Sequence, residues 1–183
     1  MHLLMYGGFK NEKDNFCSLL CFGTLSLITM GYVARPAFAT LIARMDTEKL
    51  TLTASHIVIG RVEHLRCGWG ADGLIFTDAK IVLQQNIKGA LTEKEITVTH
   101  LGGEVGHKSM RLLGAPTFEK DERVLLFLVP AGKYYPAGKN KFVVLGAFQG
   151  KNTIKNNQVL EKKKPLEAFV KEIKTVIRKQ MQK

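Results

Sequence analysis

The sequence predicts a mainly β fold, a small antiparallel barrel of six or so short strands closed by one C-terminal amphipathic helix. Three observations carry this reading. Apolar residues from Ile57 to Leu145 recur in short runs of period two, separated by glycine turns. The run Arg123 to Val129 is apolar on both faces, as a strand covered on two sides must be. After Pro165 the period changes to that of a helix. The same pattern also admits a β-sandwich. At 183 residues and 45% hydrophobic composition, the chain suits one globular domain plus a short extra segment.

The extra segment comes first. Phe16 to Val33 carries no charge, follows Lys10 and Lys13, and leads to Pro36, Ala37, Phe38 and Ala39. Small residues at Ala37 and Ala39 give the A-x-A pattern of a signal peptidase site, and Pro36 breaks the apolar helix just before it. Cleavage after Ala39 is predicted, with residues 1–39 as signal peptide, residues 40–183 as one domain, and a periplasmic or secreted location. Retention of the apolar stretch as an anchor is the alternative, because Glu12 and Asp14 offset the lysines and eighteen uncharged residues just span a bilayer. Cys17 and Cys21 leave with the peptide, so Cys67 stays alone and no internal disulfide forms.

In the remaining chain, Asp46 or Thr47 caps a short helix whose apolar contacts are Leu50 and Leu52. Ile57 to Leu65 reads as a strand bent or bulged at Gly60. Asp72-Gly73 supplies a hairpin turn to a half-buried strand, Ile75 to Ile87, which Lys88-Gly89 ends. Strands follow at Glu95 to Leu101, around Met110 to Leu113, at Arg123 to Val129 and at Phe142 to Leu145, with a weak last one within Thr153 to Leu160. A glycine-rich loop carries Gly102, Gly103 and Gly106, and Tyr134-Tyr135 sits between two Pro-Ala-Gly turns. The helix 165–182 places Leu166, Phe169, Val170, Ile173, Val176 and Ile177 on one stripe, which suits docking on the barrel.

The formal charge of +11 is concentrated at the C-terminus. Residues 151–183 hold ten Lys/Arg against three Glu, whereas residues 40–150 hold fourteen against eleven acids. The tail therefore favours acidic partners, an anionic membrane surface among them. Export argues against nucleic acid.

Several short patterns stand in order: Ser55 to Val62 (SHIVIGRV), Phe76-Thr77-Asp78 with Asn86-Ile87-Lys88-Gly89, Gly102 to Gly106 (GGEVG), and Gly114-Ala115-Pro116 leading to Glu122 to Leu128 (ERVLLFL). Over about residues 50–150 the chain resembles a group of exported bacterial proteins of uncharacterised function. More remotely, the opening strand and the Lys-Gly end of the second are similar to netrin-like domains, including the tissue inhibitors of metalloproteinases. That resemblance implies an OB-type, netrin-like barrel. It does not carry the inhibitory activity, because those inhibitors chelate a protease zinc through an N-terminal cysteine and the residue after the predicted cleavage is Thr40.

Two groups of residues are candidate sites. Trp69, Tyr134 and Tyr135 fit an aromatic platform on the barrel rim, suited to stacking a sugar or peptide, or alternatively they fill turns and core edges. His100, Glu104 and His107 supply imidazole and carboxylate ligands that zinc accepts, although their spacing matches no standard site and the glycines equally suit a tight turn. His56 and His64, two strand positions at even separation, read as structural. No cofactor motif is present, and neither Cys67 nor Ser109 stands at a spacing that selects a base. The expectation is a non-enzymatic binding or interaction module of the bacterial envelope or secreted fraction, with an unidentified protein or small-molecule partner. The alternatives are a regulator or inhibitor of an exported metalloprotease, and a metal-binding protein using His100, Glu104 and His107.

Overall fold

The computed structural model describes residues 43–136 and 138–182. The expected signal peptide, with Ala37 and Ala39, lies outside the described residues.

Helix α1 (Thr47–Thr53) starts at Asp46, whose side chain accepts from the Lys49 amide at 2.7 Å. Leu50 is buried beneath it, but Leu52 is 39% exposed. The expected Leu52 contact is thus corrected: the buried neighbour is Thr51, whose hydroxyl is spent on the Thr47 carbonyl within the helix.

Strands β1 (His56–Trp69) and β2 (Ile75–Lys88) form a long antiparallel hairpin across the Asp72-Gly73 turn. Asp72 Oδ1 accepts from the Leu74 amide, and the Gly70 amide donates to the Leu74 carbonyl. β1 runs past the expected Leu65 to Trp69. Its register with β2 slips at Ile57/Val58 and Ile59/Gly60, where β2 carries the extra residue, and again at Val62/His64, where β1 carries it. The last slip breaks strict alternation, so His56 is half-buried while His64 is exposed. At Gly60 a Cβ would meet Ile81 and the Val82 carbonyl, so a side chain there would push β2 away.

β3 (Glu95–Leu101) pairs with β2, and a small hairpin of β4 (Gly103–Val105) and β5 (Lys108–Met110) follows. β6 (Arg123–Pro130) returns to pair with the first half of β1, from His56 opposite Leu128 to Arg61 opposite Arg123. β7 (Lys141–Val144) pairs with both β6 and β3. Five strands therefore close a barrel-like ring in the order β1-β2-β3-β7-β6 and back to β1. The fold is mainly β, a barrel-like ring of strands with a C-terminal helix, as the sequence predicts. One correction applies: the ring is not wholly antiparallel, because β3 and β7 run parallel through the pairs Thr97–Lys141 and Val98–Phe142. The connection through β6 brings β7 back in the direction of β3.

β8 (Lys151–Lys155) extends the sheet from β6, followed by β9 (Gln158–Val159) and β10 (Lys164–Pro165). Helix α2 (Leu166–Met181) ends the described chain. Among the described residues no helix is long and apolar enough to cross a membrane.

The core has two layers, and β6 divides them. Val124, Leu126 and Leu128 fill the ring with Val58, Val62, Ile81, Val98 and Phe142. Leu125 and Phe127 face outward beneath α1 and α2, packed with Leu50, Ile57, Ile59, Phe169 and Ile173. This explains why β6 is apolar on both faces and why the helix stripe docks rather than facing solvent. Asn152 is also fully buried, opposite Leu125 in register, with neither amide atom hydrogen-bonded among the described residues. Lys88, at the end of β2, donates to the Thr51 and Leu52 carbonyls at 2.7 and 3.0 Å, closing the C-terminus of α1.

Candidate functional site

Beyond the ring, β1 and β2 continue as a two-stranded tip carrying the first group of candidates. Directly paired residues share a face of a sheet. Trp69 therefore goes with Ile75 and Cys67 with Thr77, whereas Gly68 goes with Phe76 and Arg66 with Asp78. The β4–β5 hairpin packs over the first of these faces. Thr77 Oγ1 donates to the Gly102 carbonyl at 2.6 Å and lies 3.2 Å from Cys67 Sγ. Gly103, at φ +136°, occupies a place where a Cβ would strike both Thr77 and Cys67. Its lack of a side chain is what lets the hairpin lie this close.

On the other face, Phe76 is buried and meets Tyr135 edge-on at a ring separation of 6.0 Å. Pro136 follows Tyr135 in the β6–β7 loop, and Asp78 Oδ2 is bound by Lys141 Nζ at 2.8 Å. Asp78 Oδ1 has no hydrogen-bond partner among the described residues. A cleft of about 160 Å³ opens here, with Arg66, Cys67, Trp69, Phe76, Asp78 and Pro136 among its lining residues. Trp69 and Cys67 also reach the cleft margin, although their partners in register are on the opposite side. Trp69 is 50% exposed, with Lys108 Nζ 5.6 Å from its ring centre.

Of the three expected platform residues, Trp69 lines the cleft, and Tyr135 touches Phe76 without being one of the lining residues. Tyr134 stays 77% exposed with Lys133 over its ring and does not line the cleft. The cleft is well below the roughly 300–1,000 Å³ of a site that engulfs a small molecule. Its dimensions suit one unit of a longer chain: an aromatic face to stack on, a carboxylate to accept hydrogen bonds, and cations at the margin.

His100, Glu104 and His107 are not brought together. His100 belongs to β3, where its ring tilts against Phe118 at 5.9 Å and Nδ1 lies 3.0 Å from the Leu101 carbonyl. Burial pushes its pKa below the ordinary histidine value, against the opposing pull of that carbonyl and of Asp78. Glu104 is exposed on β4 opposite Ser109, and His107 is exposed at the β4–β5 turn. Among the described residues no three His, Cys, Asp or Glu side chains gather as metal ligands. The separation arises because the glycines build a hairpin, which carries Glu104 and His107 off the end of β3.

Cys67 is exposed, and its neighbour is the Thr77 hydroxyl rather than a histidine. Sequence reasoning left Phe76, Asp78 and Arg66 out of the site. Their signal was present, since a two-sided hairpin about Asp72-Gly73 sets Phe76 opposite Gly68 and Asp78 opposite Arg66. No protein-family model matches the chain, and no curated protein is significantly similar to it.

Proposed function

We propose that this chain is a non-enzymatic binding module of the exported fraction, which holds one ring-bearing unit of a glycan or peptide chain at the tip of β1 and β2. The single observation that supports this reading is the cleft shared by Trp69, Phe76 and Asp78, with Tyr135 packed on Phe76 and Lys141 bound to Asp78. The location agrees with it. In OB-type rings the face of the second and third strands and the loops beside it serve as the usual ligand surface, and this cleft lies between the β1–β2 turn and the β6–β7 loop. A sugar ring needs a flat apolar partner and fixed acceptors for its hydroxyls. The cleft supplies an aromatic margin and the Asp78 carboxylate, whose Oδ2 is held by Lys141.

Trp69 is the sole tryptophan, so its fluorescence reports on this cleft directly. Titration with soluble cell-wall glycan fragments and with short aromatic peptides is expected to give a saturable change for one class. Trp69→Ala removes the signal, so binding by that variant is followed calorimetrically, alongside Asp78→Asn. A ligand that binds both variants as tightly as the parent protein sinks the assignment.

A further inference from the structure

A second concave surface lies away from the aromatic cleft and is independent of it. A groove of about 520 Å³ runs between α2 and the sheet, with Leu166 and Val170 at its base and Gln85 and Asn157 on the strand side. Its charges are Lys171, Lys174 and Arg178 from α2, Arg123 from β6, and one carboxylate, Glu167. The three helix cations share a stripe at spacings of three and four residues. They cover roughly 11 Å of axis at about 1.5 Å per residue.

These cations are uncompensated. Among the described residues none of the four lies within ion-pair distance of an acid, whereas Lys80, Lys141, Lys151 and Lys164 all do. Arg123 is held in place by neutral groups: Nε donates to Gln84 Oε1 at 2.8 Å and Nη1 to Asn157 Oδ1 at 3.4 Å. A guanidinium has five N–H donors, so three remain for a ligand in a fork that matches phosphate or carboxylate. Neighbouring Glu122 does not neutralise it, because that carboxylate is bound by Lys151 Nζ and Thr153 Oγ1.

We propose that this groove is a binding site for a ligand carrying two or more phosphate groups. Four cations and one carboxylate leave three positive charges, and two phosphate monoesters at about −1.5 to −2 each offset them. A single carboxylate offsets only one. The apolar stripe of α2 is already buried against β6, so the helix meets this ligand with its cationic flank and does not insert it into a bilayer.

The test uses the protein as the cell produces it, with inorganic tripolyphosphate as probe, followed by calorimetry at two salt concentrations. Binding is expected to be saturable, to weaken as salt rises, and to fall at least tenfold in the Lys171→Gln/Lys174→Gln/Arg178→Gln variant. Arg123→Lys keeps the charge but loses the fork, and is expected to weaken binding several-fold with unchanged circular dichroism. Exposed Lys49→Gln and Lys139→Gln serve as controls that leave binding intact. Competition between tripolyphosphate and vesicles containing phosphatidylglycerol assigns the site to lipid-borne phosphate, and its absence assigns it to soluble phosphate; both support the proposal. Tripolyphosphate binding that survives the triple variant overturns it. So does tighter binding of hexaglutamate, which marks an acidic protein segment as occupant, or adsorption to the vesicles with no affinity for tripolyphosphate.

Discussion

Replacing Phe169 with alanine tests whether α2 is part of the cooperative core or an appendage. Phe169 is fully buried, sits edge-on to Phe127 at 6.5 Å, and joins Ile173 in covering the outward face of β6. Truncating such a phenylalanine costs about 3–5 kcal/mol, the sum of lost transfer energy and the cavity left behind. For a domain of this size each kcal/mol shifts Tm by about 3–5 °C, so Phe169→Ala is expected to lower Tm by about 9–25 °C. Met181→Ala, at an exposed position of the same helix, is expected to change stability by no more than about 0.5 kcal/mol. Thermal unfolding followed by far-ultraviolet circular dichroism reads the helix, and Trp69 fluorescence reads the far end of the ring. Both probes are expected to move together, because loss of the helix uncovers Leu125 and Phe127. A shift below about 3 °C, or a helix transition that leaves the Trp69 transition in place, would refute the two-layer reasoning.

Three further outcomes follow from the same contacts. Asn152→Leu replaces an unmet amide with a bulkier group of the same branching and is expected to raise urea stability by about 1 kcal/mol; a loss instead means that buried water engages the amide or that the site cannot take the added volume. Burial lowers the pKa of both His56 and His100, so below the ordinary histidine value of about 6.5 the unfolded chain binds protons that the folded chain refuses. Stability is therefore expected to fall as pH drops from 7.5 to 5.5, and His100→Gln to flatten that slope; an unchanged slope in urea midpoints removes His100 from the account. Lys88→Met deprives two α1 carbonyls of their cationic donor and is expected to cost about 1–2 kcal/mol, with no effect placing the ammonium in solvent.

Much of the architecture was legible because burial imprints a period. The two-faced run of β6 announced a strand with cover on both sides, and α1 and α2 supply the outer cover. The Asp72-Gly73 turn fixed the partner of every residue in the tip. What escaped has physical reasons. β1 beyond Leu65 leaves the core, so Glu63, His64 and Arg66 are all exposed, and the register slip after Val62 hides the alternation. Phe118 enters the ring core from a loop, where a lone apolar residue has no period to betray it. The parallel pairing of β3 with β7 joins residues more than forty positions apart. The aromatic cleft was half legible, since the two aromatic segments were visible but not the hairpin register that adds Phe76 and Asp78. The phosphate groove was not, because Arg123 meets the helix cations only once the chain has folded.

The parallel seam has a consequence for how the ring behaves in solution. With only two residue pairs, it is the shortest join in the closed circuit, and Lys141 at its end also grips Asp78 across the neighbouring strand. A closed ring of strands opens most readily where its strands overlap least, so amide exchange is expected to be faster along this line than along the β1–β6 seam. Because Lys141 sits in that seam of β3 and β7, opening there would release its hold on Asp78 while leaving the β1–β6 pairing intact.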